Sequence, residues 1–81
     1  MNSSDILLSL AHESLEVWKV GDTLCVKYHD SMVSDGPVLI DKFGRGSTFE
    51  DACADYLTNI RGKKLVFEGG FHTRKEITVL G

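Results

Sequence analysis

GRGSTFEDACADYLTNIRG, residues 44–62, predicts one amphipathic helix with a signal at each end. Ser47 or Thr48 can cap it, because a hydroxyl oxygen accepts an unpaired N–H of the first turn, and Glu50 completes a capping box by reaching back to the cap N–H. Gly62 suits the left-handed conformation that ends many helices. An apolar stripe runs between these signals: Phe49, Ala52, Cys53, Tyr56, Leu57 and Ile60. A helix of this length is marginal alone in water, so we expect its stripe to lie on a sheet.

Alternating apolar residues and β-branched side chains predict strands on both sides of this helix. A short first helix over Asp5 to Glu13 is followed by five strands, at Glu16–Val20, Thr23–Tyr28, Pro37–Phe43, Lys64–Phe67 and Arg74–Leu80. Gly21 and Asp22 suit a two-residue hairpin turn with glycine at its first central position.

The remaining segments are polar or rich in glycine. His29 to Gly36 predicts a flexible hairpin loop, and Gly44 with Gly46 predicts a tight bend into the second helix. The resulting order is α-β-β-β-α-β-β. It predicts a single α+β domain over residues 1–81, with the helices packed on one face of a five-stranded antiparallel sheet.

Size and composition indicate an ordinary soluble domain of 81 residues, with 42% hydrophobic and 26% charged residues. The apolar runs are too short to cross a bilayer and no secretion signal opens the chain, so we expect a cytosolic protein. Cys25 and Cys53 lie on different predicted elements without CxxC spacing. Reduced thiols are therefore favoured over a disulfide, which stays possible.

No set of residues predicts catalysis. His12, His29 and His72 show no metal-ligand spacing with each other or with the cysteines, and Cys53 falls on the apolar stripe without a neighbouring base. The turn at Gly44–Thr48 matches neither phosphate-binding glycine motif. We therefore expect no enzyme activity, no metal and no cofactor.

Charge is divided unevenly along the chain. Residues 1–60 carry four Lys/Arg against ten Asp/Glu, a net −6, whereas residues 61–81 carry five against two, a net +3. Simple solvated strand faces would account for this division, but it also suggests two binding surfaces. The acidic group comprises Asp30, Asp35, Glu50, Asp51 and Asp55. The basic group comprises Arg61, Lys63, Lys64, Arg74 and Lys75, with Phe71 and His72 between them.

The acidic group predicts contact with a protein partner. An acidic face of this kind can act by mimicking nucleic acid. The basic group predicts weak, salt-sensitive nucleic-acid binding, because pairing of the last two strands would bring Lys64 near Arg74 or Lys75.

Apolar side chains and strand edges offer further contacts. Trp18, Phe71 and Met32 are candidate exposed anchors, although Trp18 fits an ordinary core position equally well. The last strand is a candidate sheet edge that could pair with a second copy or with a partner.

The order α-β-β-β-α resembles the double-stranded RNA-binding domain. In that family, as here at Gly44–Thr48, a third strand runs through a G-x-G-x-S/T turn into an alanine-containing helix, which in this chain holds Ala52 and Ala54. The resemblance implies phosphate contacts by lysines at the start of the helix. The matching positions here are Phe49–Asp51.

Residues 46–52, Gly-Ser-Thr-Phe-Glu-Asp-Ala, are similar to the Gly-x-Thr-x-x-Glu-Ala turn of HicB-type antitoxin domains, with one residue inserted. That resemblance implies binding and blocking of a protein partner. The chain also resembles small uncharacterised proteins of phages and prophages in its size and in residues 55–67. This likeness implies a host-directed or defence-blocking binder located in the host cytoplasm.

The sequence thus favours a small non-enzymatic binding module that occupies a protein partner. Nucleic-acid binding through the basic C-terminal hairpin is one alternative. A homo-oligomeric structural or assembly protein, joined through an edge strand, is the other.

Overall fold

A computed structural model of the chain describes residues 2–11, 13–69 and 73–80. Two helices are present in these ranges, α1 (Ser3–Ala11) and α2 (Phe49–Ile60). The strands are β1 (Leu15–Val20), β2 (Thr23–Tyr28), β3 (Ser31–Asp35), β4 (Val38–Ile40), β5 (Gly44–Gly46), β6 (Lys64–Gly69) and β7 (Thr73–Thr78). The predicted α+β class and the two helices are confirmed.

The strands form two antiparallel sheets. One sheet has three strands in the order β1-β2-β5, and the other has four in the order β4-β3-β6-β7. Helix α2 packs on β5 and β2, and α1 packs on α2. The buried core joins the helices to both sheets through Leu7, Val26, Tyr28, Val33, Tyr56, Ile60 and Leu65.

The prediction of one five-stranded sheet is wrong. The segment predicted as a loop at 29–36 contains β3, and the segment predicted as one strand at 37–43 contains only β4. Ser31 and Val33 are buried at alternate positions, but the polar residues around them hide this period in the sequence. Gly36, with φ of 64°, turns the chain so that Asp35 pairs with Val38.

Predicted as a bend, the two glycines before α2 instead form β5, which pairs with β2 from Leu24 to Val26. A Cβ atom on Gly44 would lie 2.2 Å from Ala52 O and 2.4 Å from Tyr56 N, and one on Gly46 would lie 2.5 Å from Ala52 N. The backbone of α2 therefore rests directly on the backbone of β5. Only glycine permits so close an approach.

The chain passes from one sheet to the other at a buried corner around Tyr56. Its hydroxyl accepts the N–H of Tyr28 at 3.2 Å and lies 3.3 Å from Ser31 Oγ, which donates to Tyr28 O at 2.8 Å. Tyr28 is the last residue of β2 and Ser31 is the first of β3. The Tyr56 hydroxyl thus accepts a backbone N–H, that of Tyr28, which has no partner strand because β5 pairs with β2 only as far as Val26.

Replacement of Gly44 by alanine should lower the free energy of unfolding by more than about 3 kcal/mol, because helix and strand must separate to admit the Cβ. Gly36→Ala is the control: its Cβ meets no atom within 4 Å, so only the positive φ opposes it, at about 1 kcal/mol. Urea denaturation monitored by circular dichroism measures both. Equal losses in the two variants would contradict the close contact.

Tyr56→Phe should cost about 2 kcal/mol, because it leaves the buried N–H of Tyr28 without an acceptor. Thr58→Ala, which removes an exposed hydroxyl from the same helix, should stay within about 0.5 kcal/mol of the parent. The same urea titration compares the two. A Tyr56 variant as stable as the Thr58 variant would show that the hydroxyl does not hold the corner.

Candidate functional site

One face of the three-stranded sheet is turned away from α2. Because Gly44 and Gly46 face the helix, Arg45 between them faces the other way. The register places Cys25 opposite Arg45 on one side and opposite Trp18 on the other. These three residues therefore form one row across the outer face.

This outer face carries a compact aromatic and cationic cluster. The rings of Trp18 and Phe43 lie 5.5 Å apart between centroids at an angle of 53°, and the Arg45 guanidinium lies 4.9 Å from the centre of the Phe43 ring. A depression of about 220 Å³ is bounded by six residues, which we call the aromatic face: Trp18, Val20, Thr23, Cys25, Phe43 and Arg45.

The aromatic face is open to solvent. Val20 is 63% exposed, Arg45 is exposed, and Trp18 and Phe43 are half-buried, whereas Cys25 below them is 1% exposed. Trp18 is therefore neither the fully exposed anchor nor the ordinary core residue that the sequence predicts as alternatives. It packs against Phe43 and keeps an accessible surface. Phe43 and Arg45 could not be predicted as its neighbours from local patterns, because their contact with it depends on the pairing of β5 with β2.

Two members of the acidic group, Glu50 and Asp55, bind other elements of the fold through their carboxylates, and a third, Asp51, contributes its backbone N–H to the cap of α2. Glu50 accepts the backbone N–H of Ser4 at 3.1 Å, which ties the first turn of α1 to α2. Asp55 accepts the N–H of Arg45 at 2.9 Å. Asp51 donates its backbone N–H to the Thr48 hydroxyl, so Thr48 caps α2. Glu50 does not make the predicted return contact to the cap, because its carboxylate binds α1 instead.

The other two members lie on the second sheet and the corner before it. Asp30 has a left-handed φ of 54° and places a carboxylate oxygen 3.2 Å from His29 Nε2. Asp35 is exposed at the end of β3. The acidic group is therefore distributed over α2, the corner and a hairpin.

The basic group is divided by the pairing of β6 with β7. Lys64 lies opposite Thr78, whereas Lys75 lies opposite Phe67, so the expected approach of Lys64 to Arg74 or Lys75 is wrong. The hairpin extends beyond the predicted turn, since Gly69 pairs with Thr73, and this shifts the register.

Carboxylates contact two of these cations. Glu76 lies 3.4 Å from Lys64 Nζ, and Glu13 lies 3.3 Å from Lys75 Nζ. Lys63 is half-buried, and Arg61 lines a separate apolar groove of about 340 Å³ with Ile6, Leu10, Leu57, Thr78, Val79 and Leu80. Phe71 and His72 lie outside the described residues.

Cys25 and Cys53 are both free and buried. Burial raises the pKa of the Cys53 thiol to about 11, which disfavours the reactive thiolate. Met32 borders a polar depression of about 300 Å³ with Lys27, Asp30, Ser31 and Asp41. Across the described ranges, no group of three or more His, Cys, Asp or Glu side chains is placed to hold a metal ion. Neither described helix is long and apolar enough to cross a membrane.

An exposed ion pair ties the start of β1 to the corner after β2. His29 Nδ1 lies 2.5 Å from Glu16 Oε1, and this hydrogen bond, followed by the charge of Asp30, raises the pKa of His29 above its usual range. The pair thus stabilises the fold at pH values below the usual histidine pKa of about 6.5. This contribution is lost as the pH rises through the folded-state pKa.

Glu16→Gln should therefore lower the pKa of His29 toward 6.5, because a neutral amide stabilises the imidazolium less than a carboxylate does. Proton NMR titration of the His29 ring measures it. Asp35→Asn is the control and should leave that pKa unchanged. A His29 pKa at or below the usual value in the parent chain would show that the contact with Glu16 does not form.

The chain matches no known protein-family model, no curated protein and no solved structure.

Proposed function

We propose that the chain is a small binding module that acts by occupying a protein partner, and that the aromatic face is its contact surface. One observation carries this proposal: Trp18 and Phe43 remain accessible beside Arg45 on one side of the sheet, while α2 fills the other side. Tryptophan and arginine dominate the binding energy of protein interfaces when they surround a pocket that a partner can fill.

The chemistry of the face indicates what the partner presents. The depression of about 220 Å³ is large enough for one apolar side chain of the partner. No carboxylate among the described residues forms an ion pair with the Arg45 guanidinium, so this group is available to a carboxylate at the edge of the partner's contact. An apolar residue beside an acidic one is therefore the expected complement.

A single-stranded nucleic acid could also stack on aromatic residues of a sheet. Charge favours a protein instead. Lys27, on the same side of β2, is bound to Asp41 at 2.5 Å, and the chain as a whole carries a net charge of −3. Phosphate groups would be repelled, whereas a protein surface needs only local complementarity.

Occupancy itself is the proposed effect. We expect a module of this size to block its partner by covering a functional surface of that partner, without catalysing a reaction itself. The resemblance of residues 46–52 to HicB-type antitoxin domains supports this mode of action. The likeness to phage and prophage proteins supports a target in the cytoplasm of a bacterial host.

Affinity capture from a lysate of the bacterial host with matched variants tests the proposal. Trp18→Ala combined with Arg45→Glu should lose at least 90% of any protein that the parent chain retains, since each hot-spot residue contributes about 2 kcal/mol or more. Asp35→Lys combined with Asp51→Lys is the control for the acidic group and should retain it. Circular dichroism establishes that each variant is folded.

Two outcomes would overturn the proposal. In the first, the parent and the Trp18/Arg45 variant retain the same proteins in equal amounts. In the second, only the acidic variant loses them, which would move the contact surface to the acidic group.

A further inference from the structure

The two edges of the three-stranded sheet differ. Along β5, side chains of α2 take the place of a neighbouring strand: Asp55 accepts the N–H of Arg45 at 2.9 Å, and Asn59 donates to Phe43 O at 3.0 Å. Along β1, no strand of the described residues pairs with the outer edge over its six residues. The sheet is thus closed at β5 and open at β1.

The hairpin geometry identifies the backbone groups at this open edge. Val20 and Thr23 flank a two-residue turn, and such a flanking pair exchanges both hydrogen bonds. Hydrogen-bonded positions then alternate along β1. The N–H and C=O groups of Leu15, Val17 and Lys19 consequently point away from β2, where an added strand can pair with them.

Both faces of β1 expose apolar surface. Val17, on the side of α2, is 49% exposed because the helix covers β2 and β5 and leaves β1 beyond its reach. Val20, on the aromatic face, is 63% exposed. Natural proteins normally protect such an edge, because a long apolar edge strand readily pairs with another chain. A strand laid along β1 would cover both valines at once.

We infer that the partner joins this edge as an extended segment, antiparallel to β1, with a carboxylate opposite Lys19 and apolar side chains opposite Val17 and Val20. The inference rests on the proposed function and specifies how that partner is held. Main-chain hydrogen bonds supply the attachment and the side chains at alternate positions supply the selectivity. The segment lies directly beside the aromatic face, which borders it at Trp18.

A second copy of the chain is a poorer occupant. A two-fold axis that pairs β1 with β1 of a second copy in antiparallel orientation is perpendicular to the sheet. Each residue of β1 therefore lies opposite a residue whose side chain is on the same face of the sheet. Lys19 of one copy would then oppose Leu15, Val17 or Lys19 of the other, and never a carboxylate. A partner segment of different sequence can place one there.

The probe is the blocked peptide acetyl-Val-Glu-Thr-Val-Thr-Val-amide, whose glutamate lies opposite Lys19 in the antiparallel register. Its binding to the full chain is followed by backbone amide NMR shifts and by the emission of the chain's single tryptophan, Trp18. We expect shifts concentrated on β1. Methylation of the peptide nitrogen of the fourth residue, which faces Val17, should abolish them.

Exchange of charge tests the register. With Lys in place of Glu, the peptide should bind the parent chain about threefold more weakly, the scale of a cross-strand charge pair. Lys19→Glu should reverse this preference. No shift on β1 up to the solubility limit of the peptide, equal binding of the methylated peptide, or an unchanged preference in Lys19→Glu would overturn the inference.

Lys19→Pro in the capture experiment separates this inference from the proposed function. Proline is tolerated here because the Lys19 N–H points to the open edge and makes no ladder bond. We expect this variant to lose the captured protein. If it keeps a protein that the Trp18/Arg45 variant loses, strand addition fails while binding at the aromatic face stands. A free chain that dimerises with concentration-dependent shifts on β1 would replace the partner with a second copy.

Discussion

The direct contact of α2 with β5 is the constraint on which the rest of the structure depends. Because Gly44 and Gly46 have no side chain, the helix backbone reaches the strand backbone, and Tyr56 and Asp55 are brought to fixed positions over the sheet. Asp55 and Asn59 then bind the edge of β5. A strand of only three residues is thereby held on both sides, and its middle residue, Arg45, is directed to the outer face.

A second constraint acts at the corner between the sheets. Tyr56 comes from α2, accepts a hydrogen bond from the end of β2 and lies beside the start of β3, so one helix fixes both sheets relative to each other. Tyr28 extends the same network to α1 by donating to Leu7 O. The aromatic face lies on the side of the sheet opposite this buried network. Rigidity behind a binding surface lowers the entropic cost of occupying it.

Much of the fold follows from local patterns that the sequence displays directly. The helix at Phe49–Ile60 and the hairpin of β1 and β2 were predictable because each has a regular period and distinct end signals. Strand β3 was missed because one of its two buried positions is Ser31, whose hydroxyl is satisfied by Tyr28 O. Strand β5 was missed because glycine typically marks a bend, while here it marks a close approach of two backbones.

The candidate site was less predictable than the fold, since it depends on register. Trp18 was identified as a residue of interest, but the side it faces and its contact with Phe43 follow only from the pairing of β1, β2 and β5. Charge alone predicts the acidic group. A count of charges does not show that Glu50 and Asp55 accept backbone N–H groups, which bind them to the fold before any partner arrives.

The way in which α1 is attached bears on the order in which parts of the native structure open. This helix has nine residues, too few to persist alone in water, and it depends on α2, on the Tyr28 hydroxyl and on the buried core that Leu7 and Ala11 enter. None of these contacts involves Gly44 or Gly46, so we expect α1 to open before the contact between α2 and β5 is lost, and its amide protons to exchange faster than those of α2. The three-stranded sheet that carries Trp18 should then keep its shape while the first helix is detached.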